Sequence, residues 1–391
     1  VSGFVVSCLL LLLAPLGLAA AIVDADFETD PTAAGWTLGM HGDRKPEGKW
    51  TDATSASGTH SLTVGTGWWA TPRFAVKPFQ YYRLRLASFS DSKGYWWVRF
   101  YDAKGEILVS DHYASLHASD DWRRHEYCFR ARHNAVAADV RFQAISTPLF
   151  VDDVRVDSID RADVATWQDR MLETIPRIDI SRVPHSSPLL KRSMGRLRSG
   201  KVLRIVMLGD SIINDTSNSL WETLVERAYP GSRIHVVTSV RGGTGCTYYR
   251  QENRVEPYVL DLEPDLLIIG GISNGHDVEA IRDVIRQVRA KSDPDILVLS
   301  GAVSNRDDML RHIAKKPEAE QKEILERARN YRPGLARMTA EEKVEYFDIR
   351  EHWDAYVKGI RKHPEWLRRD RPHCNARGHQ VLARFMAAYF S

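Results

Sequence analysis

Cysteine is scarce, with four residues in 391, at positions 8, 128, 246 and 374, and no two of them spaced Cys-x-x-Cys. That excludes a disulfide-dense scaffold and supplies no paired-cysteine signature for zinc. An excess of either charge is also missing. The 54 Lys and Arg against 51 Asp and Glu leave +3, too little to imply nucleic acid or an anionic membrane as partner. Basic runs such as Lys315-Lys316 and Arg368-Arg369 read as solvated faces. With 43% apolar and 27% charged residues, the composition argues against disorder and for a sizeable core, and the length favours two domains over one.

Long apolar runs are confined to the start, "VSGFVVSCLLLLLAPLGLAAA", residues 1–21. No Met opens it and no Lys or Arg precedes its apolar run. This segment resembles a secretory signal peptide with cleavage near Ala19 to Ala21. Its uninterrupted apolar core is short for a membrane span. Cys8 precedes the leucines, the wrong order for a lipid-anchored cysteine at a cleavage site. The expectation is a secreted or periplasmic protein, with no membrane association once the signal is removed.

From residue 22 to 157 the pattern is short and alternating. "SLTVGTGWWA", "YYRLRLASFS", "GYWWVRFYD", "EILVSDHY", "WRRHEYCFRAR" and "ADVRFQAIS" read as strands of an antiparallel sandwich. In the third of these, Trp96, Val98 and Phe100 share one face, and Trp97, Arg99 and Tyr101 the other. One set is expected in the core; the second is too aromatic for a bare surface unless it packs on a neighbour or holds a ligand.

Residues 158–200 read as a helical connector: "DVATWQDRMLETI", a proline-containing stretch, then a basic helix. From 201 to 391 strands and helices alternate. "VLRIVML", "RIHVVTS", "DLLIIGG", "DILVLSG" and "VEYFDI" are compact apolar runs, and "DVEAIRDVIRQVRA" has helical spacing. Alternation of this kind predicts an α/β fold with a parallel sheet covered by helices on both faces. Functional residues then gather beyond the carboxyl ends of the strands, where Ser211 stands in "VMLGDSIIND". Near the C-terminus, Asp370 and His373 sit three apart just before an amphipathic helix. A hydroxyl nucleophile needs an imidazole to take its proton and a carboxylate to orient that imidazole, and Asp-x-x-His supplies both.

These motifs carry two resemblances. On "DFETDPTAAGWTL", "SGTHSLTV" and "FVDDVRVDS", residues 22–157 resemble the jelly-roll carbohydrate-binding modules of secreted glycan-active enzymes. The resemblance implies Trp68, Trp69 and Trp97 as platforms for sugar rings, the alternative being core or interface residues. Asp26, Glu28 and Asp153 would frame a structural calcium in such a module, or stand as ordinary surface carboxylates. From about residue 201 to 391, "LGDSIIND" and "DRPHCNARGH" resemble the first and last blocks of the SGNH, or GDSL-type, hydrolases. That resemblance implies a flavodoxin-like three-layer α/β/α fold, with Ser211 as nucleophile, His373 as general base and Asp370 as its orienting acid. The oxyanion donors would be the N–H groups of Ser211 and of Gly245 in "SVRGGTGC", with the Asn274 amide.

The third block is one residue longer than the family's Gly-x-Asn, which leaves Asn274 or Ser273 in that position. An assembled site of this kind would bring Cys246, beside Gly245, towards Cys374, beside His373. In an exported protein these would form a disulfide, the alternative being two buried thiols. Asp210 is expected to shape the turn, and Asn214-Asp215-Thr216 matches a glycosylation sequon too close to the site to be used. His235, His276 and His379 read as structural or surface.

The leading expectation is an exported esterase removing O-acyl, chiefly O-acetyl, groups from a polysaccharide, needing no metal and no cofactor. Two alternatives remain: a lipase, thioesterase or acyltransferase of the same fold, or a non-catalytic glycan-binding protein. The strongly charged 306–333 segment argues against an apolar lid for lipids.

Overall fold

The computed structural model describes residues 21–391 apart from 109–110, 186–188, 304–309 and 312; the expected leader therefore lies outside the described residues, save Ala21. The first half contains strands β1 (Val23–Ala25), β2 (Thr37–Gly39), β3 (Glu47–Thr51), β4 (Ser61–Thr66), β5 (Trp68–Ala70) and β6 (Phe74–Ala75). These are followed by β7 (Tyr81–Ser90), β8 (Gly94–Tyr101), β9 (His112–Leu116), β10 (Ser119–Arg130), β11 (Ala137–Gln143) and β12 (Leu149–Ile159). They form two antiparallel sheets, ordered β10-β7-β12-β4-β3 with β1 on β12, and β2-β5-β11-β8-β9 with β6 on β11. Trp96, Val98 and Phe100 enter the core between the sheets, as the alternation requires. Trp97 and Tyr101 face the other way and are nonetheless buried.

Helix α1 (Arg161–Glu173) leaves the sandwich through an Asp160–Asp163 capping box, and α2 (Lys191–Arg198) leads into the parallel sheet. Its strands are β13 (Val202–Gly209), β14 (Arg233–Val240), β15 (Leu266–Ile269), β16 (Asp295–Leu299) and β17 (Glu345–Phe347). Between and after them run α3 (Ser211–Asn218), α4 (Glu222–Ala228), α5 (Cys246–Tyr249), α6 (Val255–Tyr258), α7 (Val278–Arg289), α8 (Glu318–Glu342), α9 (Ile349–Ile360) and α10 (Ala376–Phe390). The continuous apolar runs are explained by burial on both faces. Leu203, Ile205 and Met207 point into one core and Val206 and Leu208 into the other. Helix α7 shows the matching pattern: Asp277 caps it, and Ile281, Val284, Ile285 and Val288 line its buried side.

The order β14-β13-β15-β16-β17 is the 2-1-3-4-5 arrangement of flavodoxin-like sheets. Its direction reverses beside β13, the place beyond the strand ends where sheets of this order carry their binding crevice. The loops after β13, β14 and β15 all begin there. No helix among the described residues is long and apolar enough to cross a membrane.

The two halves meet through buried polar groups. Arg130 pairs with Glu222, their side chains 1% and 0% exposed, and the Tyr81 hydroxyl donates to the same carboxylate at 2.9 Å. Arg132 donates to Asn214 at 3.0 Å, Asn218 at 2.8 Å and Thr238 at 3.1 Å. Phe79 stacks on His235 with centroids 4.3 Å apart. His235 is thus part of the junction.

Candidate active site

The site starts where β13 ends. Asp210 caps α3 by accepting the Ile212 N–H at 2.8 Å, which leaves Ser211 as the first residue of the helix. Its backbone N–H is among the first-turn amides that a helix cannot satisfy internally. The second Asp210 oxygen accepts from the N–H groups of Ile272 (2.6 Å) and Ser273 (2.7 Å). One carboxylate therefore joins the turn after β13 to the loop after β15.

That tie bears on the longer third block. Gly271 absorbs the bend at φ +107°, the next two amides are held by Asp210, and Asn274 is the residue that turns towards the loop after β14. There the Cys246 N–H donates to Asn274 Oδ1 at 2.7 Å, fixing the amide so that its NH2 group faces away from Cys246. Gly245 is required by space: a Cβ on it would stand 2.5 Å from both Asn274 Oδ1 and the Ser273 carbonyl oxygen.

The loop before α10 brings the other partners. His373 Nδ1 lies 2.7 Å from Asp370 Oδ1, and His373 Nε2 lies 2.8 Å from Ser211 Oγ. The His373 backbone N–H also donates to Asp370 Oδ1 at 3.1 Å, so the three-residue spacing closes a compact turn. Burial pushes the Asp370 carboxyl up, but the His373 hydrogen bond and the Arg369 guanidinium outweigh it and hold its pKa at about 2. Asn375 caps α10 by accepting from Arg377 and Gly378, which fixes where the loop ends.

The residues just named come from four loops, yet they form one connected set: Ser211, His373 and Asp370 in a hydrogen-bonded chain, with Gly245 and Asn274 in contact beside the Asp210 bridge. A hydroxyl, an imidazole and an ionised carboxylate in that order can move a proton from oxygen to nitrogen and hold the resulting positive charge.

The structure corrects one expectation and decides two readings that the sequence left open. Trp68, Trp69 and Trp97 are not open platforms; they are 8%, 4% and 1% exposed. Trp69 lies in the sandwich core and donates to the Thr63 carbonyl. Trp68 packs edge-on to Trp97, which stacks on Tyr113, so these rings are spent on one another. Cys246 and Cys374 are free thiols and belong to the cores on opposite faces of the parallel sheet, which keeps them from bridging. Burial raises both thiols above their ordinary range. His379, read as structural or surface, is structural: it is buried, 3.6 Å from Asp215. The carboxylates considered for calcium have protein partners. Glu28 accepts from Thr59 and His60, the Glu28 N–H donates to Asp26, and Asp153 pairs with Arg124. No metal-holding cluster of His, Cys, Asp and Glu occurs among the described residues.

The sequence reading missed the supports of the loop that carries Asp370 and His373. Lys93, from the turn before β8, donates to the Arg369 carbonyl, and the Arg369 guanidinium lies 5.0 Å from the centre of the Tyr113 ring. These pairs are far apart in sequence and share no periodicity that would link them. Asp215 was visible as part of a sequon, and its place four residues after Ser211 puts both on one side of a helix.

Residues 207–381 match the model of the GDSL-like Lipase/Acylhydrolase family. No curated protein matches the sequence. Among solved structures, the chain is similar to a two-domain esterase (CEX) active on acetylated mannans, co-crystallised with mannopentaose, at 20% identity and TM-score 0.41. That match covers 55% of this chain and 56% of the esterase, little over half its length. It is also similar to the CBM22-1 xylan-binding domain from Paenibacillus barcinonensis Xyn10C, at 10% identity and TM-score 0.30, over 36% of this chain and 96% of that one. The family 22 carbohydrate-binding module of Clostridium thermocellum Xyn10B matches at 13% identity and TM-score 0.27, over 35% and 94%.

Proposed function

We propose that this chain, whose residues 207–381 match the GDSL-like lipase/acylhydrolase model, is an exported serine esterase that removes small O-acyl groups, acetyl foremost, from a polysaccharide. The observation that carries the proposal is the Asp370–His373–Ser211 chain, with its two contacts of 2.7 and 2.8 Å, beyond the carboxyl end of β13. Ser211 Oγ attacks the ester carbonyl while His373 Nε2 takes its proton. The tetrahedral oxyanion is met by the N–H groups of Ser211 and Gly245 and by the Asn274 amide, each such donor lowering the barrier by about 3 kcal/mol. Collapse expels the sugar hydroxyl with the proton from His373. Water, activated by the same imidazole, then releases the acid from the acyl-serine. Asp370 stays ionised throughout and supports the imidazolium.

A hydrophilic carrier for the ester is supported by what surrounds the loop. Lys93 and Tyr113 from the sandwich press on Arg369, next to Asp370, so the rim is polar and aromatic and built by both halves. In this reading residues 22–157 form the sandwich domain, 158–200 the connector and 201–391 the hydrolase domain. The leader-like opening supports export.

The test is acetate release from a panel of acetylated polysaccharides, acetylated mannan first, and from 4-nitrophenyl acetate, with Ser211→Ala as control. Glycan deacetylation that falls about 10⁶-fold in kcat in the variant is the expected result. Hydrolysis that survives the substitution overturns the assignment of the nucleophile. Activity restricted to the small ester redirects the substrate.

A further inference from the structure

Asp215 is a buried acid that the proposed mechanism does not use. It is 2% exposed and sits on α3, one turn after Ser211. Its Oδ2 accepts the backbone N–H of Cys374 at 2.8 Å, and Cys374 directly follows His373. Its Oδ1 faces His379 Nε2 of α10 at 3.6 Å, too long for a hydrogen bond. This carboxylate is thus the buried link between the helix that presents the hydroxyl and the loop that presents the imidazole.

A neutral acceptor would serve to hold one amide. Burying a charged one costs several kcal/mol unless its charge is used. Burial pushes the Asp215 carboxyl up, yet His379, Arg369 and His373 together bring it below its ordinary range, so it is ionised where it stands. The groups around it are His379 on α10, Arg369, Asp370 and His373 on the catalytic loop, and His112 on β9, whose ring lies 6.1 Å from that of His379. Burial first, and then the positive neighbours, keep His112 well below its ordinary value and hence neutral. His379 and Arg369 also face the carboxylate, but only His373 gains a positive charge during the reaction.

We propose that Asp215 is a positioning residue for this reaction: it holds the His373 loop at hydrogen-bonding distance from Ser211, and its buried negative charge acts with Asp370 on the imidazolium formed during proton transfer. Asp370 grips the imidazole from Nδ1; Asp215 anchors the backbone behind it. The inference rests on the triad assignment above.

Asp215→Asn keeps the shape and an acceptor for the Cys374 amide but removes the charge. Steady-state hydrolysis of 4-nitrophenyl acetate across pH is the measurement. We expect KM to stay near the wild-type value and kcat to fall about tenfold, the worth of one pKa unit. Because His373 must be neutral to act, loss of a neighbouring anion lowers its pKa, and the acidic limb of kcat/KM moves about one unit to lower pH. Asp215→Glu keeps the charge and displaces the Cys374 amide, so kcat falls while the limb stays in place. A merely structural acid gives a lower melting temperature with the limb unmoved in Asp215→Asn, which overturns the proposal; so does a Glu variant with unchanged kcat, should the Asn variant not fold. Hydrolysis that is Ser211-dependent yet indifferent to Asp215 overturns this inference alone. Hydrolysis that survives Ser211→Ala removes the triad reading and this inference with it.

Discussion

A carboxyl held at about 2 beside an imidazole has two measurable consequences at Asp370. The first concerns rate, because an ionised Asp370 is what holds the His373 imidazole in its working orientation. Asp370→Asn leaves the geometry but lets the imidazole take the wrong tautomer, and kcat is expected to fall about 10⁴-fold. The second concerns stability. Its folded pKa lies below its ordinary 3.8, so the native state gains from this group above pH 3.8 and loses that gain as the pH falls towards about 2. In a melting-temperature series below pH 4, the wild type should therefore decline more steeply than Asp370→Asn. Equal slopes would mean that the turn does not hold its carboxylate in the native state. Single residues of this kind were readable beforehand, since Asp-x-x-His places its partners by local geometry alone.

Among the elements, α3 carries the most function per residue. Its first residue is the proposed nucleophile, its cap ties two loops together, and Asn214 and Asn218, on the same face as Ser211, are held by the sandwich. Arg132 crosses the junction to Asn214 and Asn218 on α3 and to Thr238 on β14, while Asn214 donates to the Asp111 carbonyl at 2.9 Å. Arg132→Met removes the donors from buried acceptors, each costing about 1–3 kcal/mol when left unmet. We expect a lower melting temperature and a lower kcat with KM little changed. An unchanged kcat in a destabilised variant would show that the sandwich supports the fold without setting the helix. The same contacts explain why Asn214, though in a sequon, is engaged in the junction. Strand–helix alternation implied a helix after β13, but it held no information on which sandwich residue would reach it.

For the whole molecule the question is whether the halves unfold together. Arg130, Tyr81 and Glu222 form a buried set across the junction, and a small apolar cluster joins Tyr81, Cys128 and Ile159 of the sandwich to Val164, Trp167 and Leu220 beyond it. Removing one partner of such an ion pair typically costs about 3–5 kcal/mol, because the other charge stays buried and unpaired. Glu222→Gln is therefore expected to lower stability on that scale. Calorimetry of the wild type should show one transition and the variant an earlier or divided one. Two resolved transitions in the wild type would mean that the junction does not couple the halves.

The sequence by itself determined the two folds and the order of the motif blocks. Both rest on local rules: period-two alternation for half-buried strands, continuous apolar runs for a sheet covered on both faces, and short motifs whose partners lie within a turn. Whether residues distant in the chain would meet was decided only in three dimensions. The tryptophans of the sandwich looked like platforms because spacing shows which face a side chain takes, not what covers that face. Cys246 and Cys374 flank Gly245 and His373, which the site brings together, yet the sheet lies between the two thiols, because neighbouring loops can send their side chains into opposite layers. Asp215 and Arg132 were ordinary letters in the chain; burial made them consequential, since a charged group enclosed in a low-dielectric interior must find its partner there.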